Sequence, residues 1–110
     1  MAVLNVPGEA SAVDVRDAPA CIVKITATWC GPCERIHPTF VQLAGEHEVS
    51  GFTIDVDTSD DDAQQILELI DAKALPSFVA LRHGVELGRC VGSNQDDLRK
   101  LFFQINAPQS

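Results

Sequence analysis

The sequence predicts an α/β protein whose central mixed β-sheet carries helices on both faces. Apolar, β-branched runs typical of strands alternate along the chain with segments whose apolar residues recur at helical spacing. Residues 21–28 form a mostly apolar run broken by one lysine, Lys24, which is typical of a central strand covered on both faces. Two short strand-like runs flank Arg82-His83-Gly84, and this pattern indicates an antiparallel hairpin.

Each predicted element has its own local signal. The first strand stops at Pro7-Gly8, and Pro32 suits the first turn of a helix that begins at a cysteine pair. Ser59 and Asn94 have the character of N-caps for the last two helices. The expected order is βαβαβαββα, largely parallel, with the closing hairpin adding antiparallel edge strands. The predicted strands are 2–6, 21–28, 52–56, 78–81 and 86–91, and the predicted helices are 9–16, 30–44, 59–70 and 94–105.

Length and charge limit the classes of protein that the chain can represent. With 110 residues and no internal linker, we expect one domain over residues 1–110. The net charge of −8 argues against nucleic acid or an anionic membrane as partner, because both attract basic surfaces. The sequence shows neither a transmembrane-length apolar run nor the layout of a signal peptide, so we expect a cytoplasmic protein.

Cys30 and Cys33 stand at a predicted strand-to-helix junction, which suits thiol chemistry. A helix N-terminus stabilises a thiolate, so we expect Cys30 to be the exposed nucleophile that attacks a substrate disulfide. Cys33, one turn deeper, then resolves the mixed disulfide. A structural bridge across so short a loop contributes little stability. A metal site needs further ligands, and Cys21 and Cys90 form no matching motif, so no metal is expected.

The motif Trp29-Cys30-Gly31-Pro32-Cys33, followed by Pro38, resembles the active site of the thioredoxin family. Leu75-Pro76-Ser77-Phe78, the Gly84 turn and Val91-Gly92-Ser93 follow in the family's order and extend the resemblance over nearly the whole chain. The resemblance implies a thioredoxin fold and a protein disulfide reductase that acts on protein disulfide substrates. It also implies recycling by an NADPH-dependent thioredoxin reductase and no cofactor beyond the Cys30–Cys33 disulfide.

Further site residues follow from the same resemblance. It implies a cis Pro76, which exposes the backbone of Leu75 for strand-like pairing with a substrate segment. Trp29, Leu75 and Gly92 are expected to form the apolar docking surface around Cys30. Gly31 and Pro32 are expected to modulate the redox potential, which in the family is strongly reducing at about −270 mV with this dipeptide.

The sequence departs from the family pattern most clearly at Lys24, where the family usually carries a buried aspartate. We expect the Lys24 amine to be partly desolvated: if neutral, it would accept the proton of Cys33, and if it stays an ammonium, it would stabilise the Cys33 thiolate by charge. The alternative is that its long stem carries the charge to solvent, where the amine has no role. Glu34 is expected to oppose thiolate formation mildly. His37 lies one turn beyond Cys33, where it either tunes that thiol or is a bystander.

Two functions from different classes remain open on the sequence. The first is general protein disulfide reduction through Cys30 and Cys33. The alternative is a redox-switched interaction module with little reductase turnover, which remains in consideration because Lys24 and Thr26 both depart from the family pattern. Cys21 and Cys90 are expected to behave as small apolar residues within strands, and the alternative is a regulatory or dimer-forming thiol.

Overall fold

A computed structural model describes residues 3–4, residue 15 and residues 18–106. The predicted helix at 9–16 lies outside the described residues except for Val15, which is helical and buried. The strands are β1 (Val3–Leu4), β2 (Cys21–Thr26), β3 (Ser50–Asp55), β4 (Ser77–Arg82) and β5 (Val85–Val91). The helices are α1 (Gly31–His47), α2 (Asp61–Ile70) and α3 (Gln95–Asn106). In this part of the chain, no helix has the length and apolarity needed to cross a membrane.

The described strands form one mixed sheet in the order β1-β3-β2-β4-β5. β3 is parallel to both β1 and β2, whereas β4 is antiparallel to both β2 and β5. The mixed sheet is therefore confirmed, but the prediction that both hairpin strands lie at the edge is wrong. β4 lies inside the sheet because it pairs with both β2 and β5, and its residues 77–81 are buried. Of the two hairpin strands, only β5, with mostly exposed residues, lies at an edge.

The hairpin turn is shorter than the sequence suggested, because Arg82 still belongs to β4. His83 and Gly84 form the connection, with φ values of 49° and 80°. Positive φ at both central residues is what a two-residue turn needs to match the twist of the flanking strands. Gly84 meets this requirement without steric cost.

Helices cover both faces of the sheet, as predicted. On one face, α2 packs through Ile66 and Ile70 against Val23 and Ile25 of β2. On the other face, Ile22 belongs to the core that includes α1 and α3. Because side chains alternate along a strand, Lys24 shares the face of Ile22 and therefore points toward α1.

Helix caps explain two of the observed boundaries. α2 is capped by Asp60 rather than by the expected Ser59, because the Asp60 carboxylate accepts the Ala63 N–H at 2.9 Å. A carboxylate at this end of a helix also stabilises the helix dipole. The expected cap of α3 is confirmed, since Asn94 Oδ1 accepts the Asp97 N–H at 3.0 Å.

Candidate active site

The cysteine pair lies at the connection between the central strand β2 and the N-terminus of α1. Cys30 is the N-cap of α1, with extended φ and ψ of −100° and 104°, and its sulfur accepts the Cys33 N–H at 3.2 Å. Cys30 and Cys33 form a disulfide, with their Cα atoms 5.3 Å apart. The local structure thus aims the unpaired amides of the helix N-terminus at the Cys30 sulfur, where they stabilise negative charge.

The two sulfurs differ in access to solvent, although less than the sequence predicts. Cys33 is 0% exposed and Cys30 is only 7% exposed. The predicted order is confirmed, but the description of Cys30 as exposed is wrong for the disulfide form. Ala27 forms a small buried cluster with both cysteines, and the side chain of Leu75 packs against this cluster.

Three segments that are distant in sequence meet beside the disulfide. The Leu75–Pro76 peptide bond is cis, as predicted. The Gly92 N–H donates to the Pro76 carbonyl at 2.8 Å. Gly92 has a φ of 98°, a conformation that favours glycine over residues with a side chain. The landmarks expected around Cys30 are therefore held together by backbone contacts.

Trp29 stands beside the pair as a projecting apolar side chain. It is 69% exposed, and its indole N–H donates to Asp57 Oδ2 at 2.9 Å, which orients the ring. A cleft of about 580 Å³ lies between this ring and the chain segment before the cis proline. The residues that line it are Trp29, Cys30, Gly31, Pro32, Val56, Ala72, Lys73, Ala74 and Leu75.

Lys24 is buried beneath the pair, which rules out the alternative that its amine reaches solvent. The residue is 3% exposed, and its Nζ donates to the Cys33 carbonyl at 3.0 Å. Burial lowers the pKa of Lys24 to about 8 from its ordinary 10.5, and the negative charge of Glu34 partly opposes this. The amine is therefore still mostly protonated at neutral pH.

His37 contacts Lys24, which its predicted position one turn beyond Cys33 did not indicate. Its Nδ1 lies 2.9 Å from Lys24 Nζ. Burial lowers the pKa of His37, and the positive charge of Lys24 lowers it further. The only signal in the sequence is its position four residues after Cys33, which places both side chains on one side of the helix.

The remaining cysteines lie in strands, outside the cluster that holds the disulfide. Cys21 is fully buried in β2, and burial raises the pKa of its thiol to about 12. Cys90 in β5 is partly buried, and burial together with Asp97 raises the pKa of its thiol to about 11. Both side chains are therefore protonated thiols at neutral pH, with low nucleophilicity. Within the described ranges, no group of three or more His, Cys, Asp or Glu residues is placed to hold a metal ion.

Comparison with known proteins agrees with this geometry. The family model described as Thioredoxin matches residues 3–104. Thioredoxin H9 of Arabidopsis thaliana is 36% identical over 98 residues, which cover 86% of this chain and 67% of that protein. Thioredoxin H2-1 of Oryza sativa subsp. japonica is 32% identical over 90 residues, which cover 81% of this chain and 62% of that protein. The chain thus spans about two thirds of the length of these plant relatives.

A solved structure extends the likeness to three dimensions. The X-ray structure of Fasciola hepatica thioredoxin is 30% identical, has a TM-score of 0.73, and is matched over 96% of this chain and 99% of that one. Residues 3–104, which the family model matches, include the Cys30–Cys33 disulfide and the cis Pro76. The chain belongs to the thioredoxin family, whose members are thiol–disulfide oxidoreductases.

Proposed function

We propose that this protein reduces disulfides of other proteins through thiol–disulfide exchange at Cys30 and Cys33. The observation that supports this most directly is the asymmetry of the pair. Both sulfurs lie at the N-terminus of α1, but only Cys30 retains access to solvent. Of the two cysteines, Cys30 is therefore the one that an incoming disulfide can reach.

In the proposed reaction, the Cys30 thiolate attacks one sulfur of the substrate disulfide, and the other substrate sulfur leaves. Cys33 then attacks the Cys30 sulfur, the mixed disulfide breaks, and the second substrate sulfur leaves as a thiolate that takes a proton from solvent. Two electrons pass from the cysteine pair to the substrate, and Cys30–Cys33 becomes the disulfide. No other bound cofactor is needed, because the two sulfurs carry the electrons.

We propose that the substrate docks on the surface formed by Trp29, Leu75, Pro76 and Gly92. The exposed indole of Trp29 and the cleft beside it offer apolar area next to Cys30. Gly92 is tied to Pro76 by a hydrogen bond, which keeps the far side of this surface in place. Gly31 and Pro32 border the disulfide and are proposed to modulate its potential.

We propose that an NADPH-dependent thioredoxin reductase recycles the pair and that the protein works in the cytoplasm. Cys21 and Cys90 are free thiols, which suits a reducing compartment. Consumption of NADPH in a mixture of reductase, this protein and insulin tests the partner. Fractionation of cells that express the untagged protein tests the location.

Insulin reduction with dithiothreitol as electron source tests the function itself. We expect the protein to accelerate insulin reduction well above the rate with dithiothreitol alone. Cys30→Ser is the matched control, since it should return the rate to that background. Background-level reduction by the folded parent protein would reject the reductase and favour the redox-switched interaction module.

A further inference from the structure

Lys24 and His37 form a contact beneath the disulfide in which only the lysine is charged. An ammonium group only donates hydrogen bonds, so the 2.9 Å contact requires His37 Nδ1 to accept. His37 is therefore an uncharged imidazole with its proton on Nε2. A second Lys24 N–H bonds the Cys33 carbonyl at 3.0 Å. The histidine thus secures the ammonium against Cys33 without cancelling its charge.

Within residues 18–106, no carboxylate contacts the Lys24 ammonium as a counter-ion. A cleft of about 360 Å³ beside Lys24 is also lined by His37, Glu34 of α1 and Asp55 at the end of β3. Among the described residues, neither carboxylate forms an ion pair or a hydrogen bond with Lys24. On β4, the register partner of Lys24 is the uncharged Phe78.

We propose that Lys24 and His37 act as a positively charged pair that stabilises the Cys33 thiolate, with His37 as the positioning residue. This inference rests on the proposed reductase function and extends it to the step in which Cys33 attacks. The Cys33 proton leaves to solvent as the thiolate forms. Thr53 lines the cleft there, and its buried hydroxyl has no partner within the part of the chain described, so it gives the cleft a polar wall for water.

The charge has two consequences for the exchange reaction. A lower Cys33 pKa increases the fraction of thiolate that resolves the mixed disulfide. Because a weaker base is also a weaker nucleophile, a tenfold gain in thiolate leaves a net gain in rate of about threefold. The charge also favours the reduced form wherever Cys33 is ionised. A tenfold shift in the dithiol–disulfide equilibrium corresponds to about 30 mV.

Titration of Cys33 in a Cys30→Ser background tests the pair directly. Thiolate absorbance is measured against pH, and the pKa values of about 12 for Cys21 and about 11 for Cys90 keep these thiols out of the lower range. His37→Glu places a carboxylate on Lys24, cancels its charge, and should raise the Cys33 pKa by about one unit. Lys24→Met removes the charge and should raise the pKa similarly.

His37→Gln is the matched control, because glutamine has nearly the same shape as glutamate and its neutral amide oxygen can accept from Lys24. The Cys33 pKa in this variant should equal that of the parent. On the intact cysteine pair, His37→Glu and Lys24→Met should both slow release of a trapped substrate by about threefold. Equilibration with glutathione should show a more negative potential for both, while attack by Cys30 stays nearly unchanged.

Equal Cys33 pKa values in His37→Gln and His37→Glu would overturn the proposal, because a merely structural His37 affects both variants alike. A parent-like pKa in Lys24→Met would overturn it as well. Position 37 is only partly buried, and circular dichroism establishes that each variant is folded. The titration uses no substrate, so its outcome is independent of insulin turnover, and failure of the reductase function is seen separately.

Discussion

Cys30 and Cys33 are chemically identical side chains whose surroundings give them different roles. Cys30 caps α1 and keeps a small exposed area. Cys33 is fully buried, and its backbone carbonyl accepts a hydrogen bond from the Lys24 ammonium. In the proposed reaction, the helix N-terminus stabilises the attacking Cys30 thiolate, and the buried lysine stabilises the resolving Cys33 thiolate. Each half of the proposed exchange reaction would then have its own source of electrostatic stabilisation.

Substitution of each cysteine separately tests this division. Cys33→Ser removes the resolving sulfur, so mixed disulfides through Cys30 should accumulate on non-reducing gels after exposure to substrate. Cys30→Ser should trap little, because the remaining Cys33 sulfur is fully buried. We expect at least a tenfold difference in trapped protein, in line with the difference in access. Equal trapping by the two variants would contradict the assigned roles.

Cys21 and Cys90 lie in strands and have thiols with raised pKa values. The double variant Cys21→Ala and Cys90→Ala should keep insulin reduction within about twofold of the parent, since neither protonated thiol competes as a nucleophile. Loss of the buried Cys21 sulfur should lower the free energy of unfolding by about 1 kcal/mol. A folded double variant with a large loss of turnover would show that one of these thiols takes part.

Among the elements, α1 carries the residues of the candidate active site, whereas α2 packs on the opposite face of the sheet. α1 carries the disulfide at its N-terminus and His37 on the side that faces β2. α2 packs through its apolar stripe on the other face, away from Lys24. The stability of α2 can therefore be changed without touching the groups proposed for catalysis.

Removal of the α2 cap tests this separation. Asp60→Ala removes the acceptor for the Ala63 N–H and the charge that complements the helix dipole. The free energy of unfolding should fall by about 1 kcal/mol, measured by denaturant titration. Insulin reduction should be unchanged at temperatures where the variant is folded. Ser59→Ala is the control, since Ser59 is not the cap in the structure and its substitution should have little effect.

At the scale of the whole molecule, burial of a charge in the central strand links the site to folding. Lys24 is buried in β2 with its amine on the side of α1, and burial lowers the pKa of this amine to about 8. The unfolded chain holds that proton up to the ordinary value of 10.5. Below pH 8 the folded protein therefore bears the full cost of the buried charge, which disappears as the pH rises toward 10.5.

The pH dependence of unfolding should reveal this cost. At pH 7, removal of the buried charge in Lys24→Met should raise the free energy of unfolding by about 3 kcal/mol relative to the parent. The net increase should be smaller, because the variant also loses the stabilisation from the Lys24 hydrogen bonds. The advantage should shrink between pH 8 and pH 10.5, because only the parent gains from losing its proton there. Cys21 and Cys90 titrate at high pH in both proteins, so the difference isolates Lys24. A difference that does not vary with pH would contradict the buried charge.

Much of this molecule follows from patterns that are local in the sequence. The strand-to-helix cysteine pair, the mixed α/β order and the cap at Asn94 each depend on a few neighbouring residues, whose preferences act before distant contacts form. The cis Pro76 and its place beside the pair followed from the family resemblance rather than from any local preference. The observed cap of α2 is Asp60, one residue after the predicted Ser59. Both residue types are good N-caps, so local preference alone does not distinguish them.

Contacts between distant segments were decided only by the tertiary structure. The interior position of β4 follows from its antiparallel pairing with both β2 and β5. Cys30, with its small exposed area, belongs to a cluster with Ala27 and Cys33, against which Leu75 packs. The Lys24–His37 contact joins residues 13 positions apart on different elements. Neither residue has a local preference for the other, so only the packing of α1 on β2, which buries the amine, brings them within hydrogen-bond distance.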